Sequence, residues 1–215
     1  MKKLVFTLAL ASVLGSGQVD AQGLVKKVME NMYGGPKVEG NASNFFLSGM
    51  PGVKSKMNVG GSIGGFIGIR MSEHFAIQED IMVNYKTSSL KQKGKKGNFE
   101  YLGAELAFYA MGNWKMNNGN RFSIGVGPYI GYGLDAKYKV NDEEINLYKK
   151  GSEVEIPFSR FSLGAALTAG YEFKCGFQIN ASYKLGIMDM LDLNKSNMSM
   201  LPSTVSLGVA YRFGK

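Results

Sequence analysis

His74 is the only histidine and Cys175 the only cysteine among 215 residues. Those two counts remove most catalytic constellations at once. A hydroxyl nucleophile has a single imidazole to call on, and no CxxC redox or metal site can form. There is no HExxH, Walker A or GxGxxG-after-strand arrangement either. The chemistry that remains is ionic. Arg70, Asp80, Glu105, Arg121, Asp135, Arg160, Glu172, Lys184 and Arg212 stand at positions whose sequence neighbours on either side are mostly apolar. On a pleated strand such residues share one face, and a charge confined there must be paired or hydrated. As a set they predict a salt-bridge network filling an interior. A gated proton or ion path is the sharper alternative.

Two further groups could bind something. Lys86, Lys91, Lys93, Lys95 and Lys96 lie in a segment without an acidic residue between Lys86 and Asn98. Such a run either contacts anionic groups or stays solvated and extended. Met188-Asp189-Met190 and Met198-Ser199-Met200 would each put two thioethers on one side of an extended chain, a soft site suited to Cu(I). With 13 methionines in the chain, apolar packing is the simpler expectation, and no cofactor is implied.

The elements that position these residues alternate with period two. From 121 to 140 one face reads Phe122, Ile124, Val126, Pro128, Ile130, Tyr132, Leu134, Ala136, Tyr138 and Val140, and the other is rich in glycine and charge. Segments 160–173, 177–188 and 204–213 repeat the pattern, as do 59–69, 75–85 and 102–110, with a weaker strand at about 37–45. Short connections (72–74, 112–119, 174–176) alternate with mostly longer polar ones (48–55, 87–98, 141–157, 189–201). Eight antiparallel strands of this length, with short turns at one end and long loops at the other, predict an all-β transmembrane barrel with periplasmic turns and extracellular loops.

A soluble barrel of the lipocalin type would also alternate, with its large apolar residues pointing inward. The polar face of 121–140 argues against that, because it holds four glycines and a serine. Water would not require so bare a surface, whereas the crowded lumen of eight strands would. That gives an address to a large share of the 29 glycines of the chain. Arg70, Arg121, Glu172 and Arg212 then fall near the periplasmic mouth, and Asp80, Glu105 and Lys184 deeper.

The N-terminus agrees with export. Met1-Lys2-Lys3, an apolar stretch from Leu4 to Leu14 and small residues up to Ala21 have the form of a secretory signal peptide. Cleavage after Ala21 would lower the formal net charge from +8 to +7. Outside the cytoplasm, nucleic acid is not the expected partner of that charge. The expected partners are outer-membrane lipid, including lipopolysaccharide phosphates met by the lysine-rich loop, and an envelope protein. Residues 22–36 show helical spacing (Leu24, Val25, Val28, Met29, Met32) before Gly34-Gly35-Pro36, which suggests a short periplasmic helix ahead of a barrel over 37–215.

Several strand segments resemble one family. Gly127-Pro128-Tyr129-Ile130-Gly131-Tyr132 followed by Leu134-Asp135-Ala136-Lys137 is similar to the fifth strand of PorT-like outer-membrane β-barrel proteins. Lys37 to Phe45, Phe75 to Asp80, Ala169 to Phe173 and Tyr183 to Gly186 match in order and spacing. Glu79 stands where that family usually has proline. The resemblance implies an outer-membrane location and an eight-stranded barrel, and no shared reaction. The sequence therefore predicts a non-catalytic outer-membrane barrel with a structural or interaction role. A narrow pore is the alternative, and a lipid-modifying enzyme a distant third.

Overall fold

The computed structural model describes residues 28–92, 95–140, 143–148, 158–191 and 198–214. The chain divides into two compact units, 1–31 and 32–215. In the first, residues 28–30 form one helical turn, closed by the Asn31 amide donating to the Val28 carbonyl at 3.1 Å. The signal peptide and most of the expected helix lie outside the described residues.

The second unit is built from strands β1 (Met32–Ser48), β2 (Val53–Arg70), β3 (Phe75–Gln92), β4 (Lys95–Lys115), β5 (Arg121–Val140), β6 (Glu143–Asn146), β7 (Phe161–Glu172), β8 (Phe177–Gly186), β9 (Ser199–Tyr211) and β10 (Phe213–Gly214). Each long strand pairs antiparallel with its sequence neighbour, and β7 follows β5 in the sheet. The pairing of β1 with β9, Lys37 opposite Ala210 through Ser48 opposite Ser199, closes the ring. Short β6 adds to β5 and short β10 to β1. Closure leaves no free edge in the ring of eight long strands among the described residues, which a membrane-spanning sheet requires because lipid cannot hydrogen-bond a free strand.

The outward face carries the apolar band. On β5 it runs Phe122, Ile124, Val126, Pro128, Ile130, Tyr132; on β7 Tyr171, Ala169, Leu167, Ala165, Leu163, Phe161; on β3 Phe75, Ile77, Glu79, Ile81, Val83, Tyr85. Aromatic residues bound each run at both ends, ten residues apart. At about 3.3 Å per residue and a tilt of about 40°, that spacing gives a band of roughly 25 Å, the height of an outer-membrane barrel's apolar belt. Trp114 lies near Phe122 with ring centroids 6.1 Å apart at the short-turn edge of the band, where interfacial aromatics are enriched.

Inside, glycine makes room for rings. A Cβ on Gly68 would stand 2.2 Å from the Tyr33 ring, on Gly103 2.3 Å from the Tyr101 hydroxyl oxygen, and on Gly164 2.4 Å from the Tyr129 ring. Glycines also occur outside: Gly40 faces Gly61 and Pro36 faces Gly65 along the β1–β2 seam. At the β7–β8 turn Gly176 adopts φ 90°, a conformation that side-chain-bearing residues rarely adopt.

Three sequence expectations change. Strand β1 starts at Met32, five residues ahead of the predicted start, so Gly34-Gly35-Pro36 continues a strand. The predicted loop 87–98 is largely a hairpin extension, with β3 and β4 paired out to Gln92 opposite Lys95. The strict alternation of 121–140 breaks at a β-bulge. Leu102 lies opposite Asp135 but Gly103 opposite Gly133, so Leu134 is the extra residue. Beyond it the faces exchange. Ala136 is 0% exposed inside the barrel, whereas the Asp135 side chain is 40% exposed outside.

Candidate functional site

The inward faces of the strands carry two ionic belts. In the middle belt, β1 contributes Lys37 and Glu39, β3 Asp80 and Lys86, β4 Glu105 and β8 Lys184, all of them buried. Lys37 Nζ lies 2.7 Å from Asp80 Oδ2 and 2.8 Å from Glu39 Oε1. Glu105 takes both remaining cations, Lys184 at 2.8 Å on Oε2 and Lys86 on Oε1. The Gln78 side-chain amide donates to the second Asp80 oxygen at 2.8 Å. Three cations and three carboxylates thus neutralise one another. The Lys184 ammonium also stands 5.8 Å from the Tyr129 ring centroid.

The lower belt lies at the mouth beside the short turns. Glu172 receives Arg212 Nη2 at 2.7 Å, Arg121 Nη1 at 3.5 Å and the Gln178 side-chain amide at 2.8 Å. Arg70 joins this mouth, and its guanidinium takes part in no ion pair among the described residues; the Arg212 guanidinium lies 5.7 Å from the Tyr33 ring centroid. Two arginines thus share one carboxylate, with a third beside them.

Apolar clusters flank the middle belt. One contains Tyr33, Phe66, Tyr109, Met111 and Tyr129. The other, toward the loop end, contains Phe45, Phe99, Tyr101, Met190, Leu191 and Met200. The Phe45 and Phe99 rings meet edge-on at 4.9 Å. Met190 and Met200, half of the two Met-x-Met pairs, are buried in this plug. Burial there pushes the Tyr148 hydroxyl up to about 12. Among the described residues no group of three His, Cys, Asp or Glu side chains could hold a metal ion.

Of the predicted inward charges, the structure brings Arg70, Asp80, Glu105, Arg121, Glu172, Lys184 and Arg212 into the lumen or its mouth. Asp135 and Arg160 do not join them. The bulge turns Asp135 outward, and Arg160 is exposed at the outer rim, 4.3 Å from the Tyr148 ring centroid. Lys86 moves the other way, from a predicted loop contact to a buried partner of Glu105. Lys37 and Glu39 were missed although they alternate with Val38 and precede inward Asn41 and Ser43. Lys91 and Lys96 are exposed, Lys95 starts β4, and Lys93 lies outside the described residues. In the outer hairpin Lys137 bonds Glu144 at 2.7 Å and Lys139 bonds Glu100 at 3.0 Å. The hydrogen bond from Lys137 holds the Glu144 carboxyl below its ordinary range. His74 sits in the exposed β2–β3 turn, with Nδ1 3.2 Å from the Asn113 carbonyl oxygen.

A closed ring of eight long antiparallel strands, belted with aromatics outside and ion-paired inside, defines a small integral β-barrel of the outer membrane. The chain belongs to the family described as outer membrane protein beta-barrel domain, which matches residues 31–192. No curated protein matches the sequence. Among solved structures, the outer membrane protein OprG from Pseudomonas aeruginosa is similar at 11% identity and TM-score 0.53, over 86% of this chain and 96% of that one. The attachment invasion locus protein Ail of Yersinia pestis is similar at 16% identity and TM-score 0.43, over 84% and 98%. The outer membrane enzyme PagL is similar at 9% identity and TM-score 0.36, over 82% and 99%. At these identities the likeness is one of fold, and it does not choose between a catalytic and a non-catalytic barrel.

Proposed function

We propose that this protein is a non-catalytic outer-membrane barrel that works through contact, as a surface or envelope-support component, with its lumen closed. The observation that carries the reading is the middle belt. Glu105 ties Lys86 and Lys184 together across the barrel, and apolar clusters pack on both sides of it. Opening a path would separate buried ion pairs, at several kcal/mol for each charge left unpaired. Purified protein in planar bilayers should give no reproducible channel openings; stable openings would overturn the closed lumen in favour of a narrow pore. The lone imidazole lies at the turn end, away from the outer leaflet where a lipid-modifying barrel would need its base. Deacylase or acyltransferase activity on lipopolysaccharide would overturn the non-catalytic reading.

Lipopolysaccharide is the partner this surface favours. Lys54 pairs across strands with Lys91, and Lys91 with Lys96, all three exposed on the outward face. Like charges directly opposite one another are destabilising unless an anion bridges them. The row lies six residues beyond Tyr85, roughly 20 Å along the strand at about 3.3 Å per residue, where core phosphates would reach it. Replacing Lys54, Lys91 and Lys96 together by glutamine should lower the lipopolysaccharide that co-purifies; unchanged lipid content would remove this partner.

The PorT-like resemblance and cleavage after Ala21 belong to the same reading, and so does a protein partner in the envelope. N-terminal sequencing of envelope-derived protein tests the cleavage, with Gln22 the expected first residue. Crosslinking in intact envelopes tests for the partner.

A further inference from the structure

The periplasmic mouth holds more positive charge than its own groups neutralise. Arg70, Arg121 and Arg212 face a single carboxylate, Glu172, which leaves an excess of two positive charges. Four N–H-bearing nitrogens here are buried without an acceptor: Arg70 Nη2, Arg212 Nε and Nη1, and Asn180 Nδ2. They come from β2, β8 and the residue that follows β9, on one arc of the barrel wall. They are also the only unpartnered buried side-chain nitrogens among the described residues, the other four unpartnered atoms being oxygens. The cavity that Arg70 and Asn180 line also takes Tyr33, Gln78, Arg121 and Glu172 among others, a set rich in donors, and Arg212 stands beside it against the Tyr33 ring. The middle belt contrasts with it, since every cation there has a carboxylate within bonding distance.

We propose that this mouth is a binding site for a doubly charged oxoanion of the phosphate class. The excess charge matches a dianion, and the convergent donors match a ligand that accepts hydrogen bonds on several oxygens at once. Guanidinium groups suit that task because their planar N–H forks pair with phosphate oxygens two at a time. Chloride carries only one of the two charges and could not span donors from three strands. A water could accept from one of these nitrogens, but it brings no charge.

Inorganic phosphate is the probe. Barrel folded in a non-ionic detergent and phosphate-free buffer is titrated calorimetrically, with folding checked by heat-modifiable electrophoretic mobility. Saturable binding of one phosphate per chain is expected, with sulfate competing and chloride at equal ionic strength not. Arg70→Gln should weaken binding at least tenfold and still fold, because Arg70 takes part in none of the ion pairs. Dimethyl phosphate, a monoanion with the linkage of a lipid headgroup, should bind at least tenfold more weakly than phosphate. Absence of saturable binding by the unaltered protein, equal displacement by chloride, or undiminished binding by Arg70→Gln would each overturn the site. Equal affinity for dimethyl phosphate would overturn the dianion assignment and point to lipid phosphodiesters.

Discussion

Lys184 on β8 and Glu105 on β4 meet at 2.8 Å across the lumen, although three strands' width of wall separates them along the shorter arc of the sheet. Their bond is a strut between opposite sides of the barrel. The second oxygen of Glu105 holds Lys86, so one carboxylate pairs with two buried ammonium groups.

Removing that carboxylate should therefore be among the costliest single changes in the lumen. Glu105→Gln leaves Lys86 and Lys184 buried without their counter-charge, and breaking a buried pair from one side costs about 3–5 kcal/mol. The urea midpoint for unfolding from lipid vesicles should fall accordingly. The triple variant Glu105→Leu, Lys86→Met, Lys184→Met should recover most of the loss, because it removes the stranded charges as well. A single variant as stable as the parent would show that water replaces the strut at no cost.

The band height sets a second expectation. Leu167 faces outward midway between the aromatic bounds Phe161 and Tyr171, and Thr168 faces inward with 4% exposure. Leu167→Arg should cost roughly 2–4 kcal/mol, the depth-dependent penalty for arginine near the midplane of the lipid face. Leu167→Ile should cost far less, under about 1.5 kcal/mol. Equal stability of the two variants in vesicles would contradict the outward assignment.

The bulge at Leu134 can be read by thiol accessibility. In a Cys175→Ser background, Ala136→Cys should resist a membrane-impermeant maleimide and Lys137→Cys should react on whole cells. Uninterrupted alternation from Phe122 would reverse that order. Labelling of the Ala136→Cys variant with protection of the Lys137→Cys variant would remove the bulge.

The bulge also shows why some of the molecule was legible in the sequence and some was not. Within the bilayer the solvent is lipid, so apolar parity means outward, and Phe122 to Tyr132 read correctly by that rule alone. Above the bilayer the solvent is water, so apolar parity means inward. Leu134 lets β5 keep one alternating sequence while Ala136 and Tyr138 turn into the plug and Lys137 and Lys139 turn to water. Nothing in the alternation marks that change of surroundings. On β4 the same boundary is crossed without a bulge, and there the pattern does shift, from outward Leu102 to outward Glu100 with Phe99 and Tyr101 buried. Lys86 was legible in principle, since it continues the inward parity of Asp80, Met82 and Asn84 by one more step. Ending the strand at Tyr85 hid it. The pairings themselves depend on register across strands far apart in sequence, such as the separation of 79 positions from Glu105 to Lys184, which no local pattern records.

Glu79 breaks the apolar band from the outside. It faces outward between Ile77 and Ile81 on its own strand, with Ile67 and Phe108 opposite it on the neighbouring strands. It lies four residues above Phe75, roughly 10 Å inside the apolar band at about 3.3 Å per residue and a tilt of about 40°. No ion pair to Glu79 occurs among the described residues, so in the isolated barrel its carboxyl meets lipid. A carboxylate there is destabilising, by less than the 2–4 kcal/mol of a midplane arginine. Glu79→Leu should therefore raise the urea midpoint in vesicles by the equivalent of roughly 1–2 kcal/mol. The same substitution in cells distinguishes why the carboxyl is there. If it only burdens the barrel, crosslinked envelope complexes containing Glu79→Leu will match those of the parent. If it is a contact, the stabilised variant will lose a crosslinked partner. A variant no more stable than the parent in vesicles would mean that Glu79 does not face the hydrocarbon.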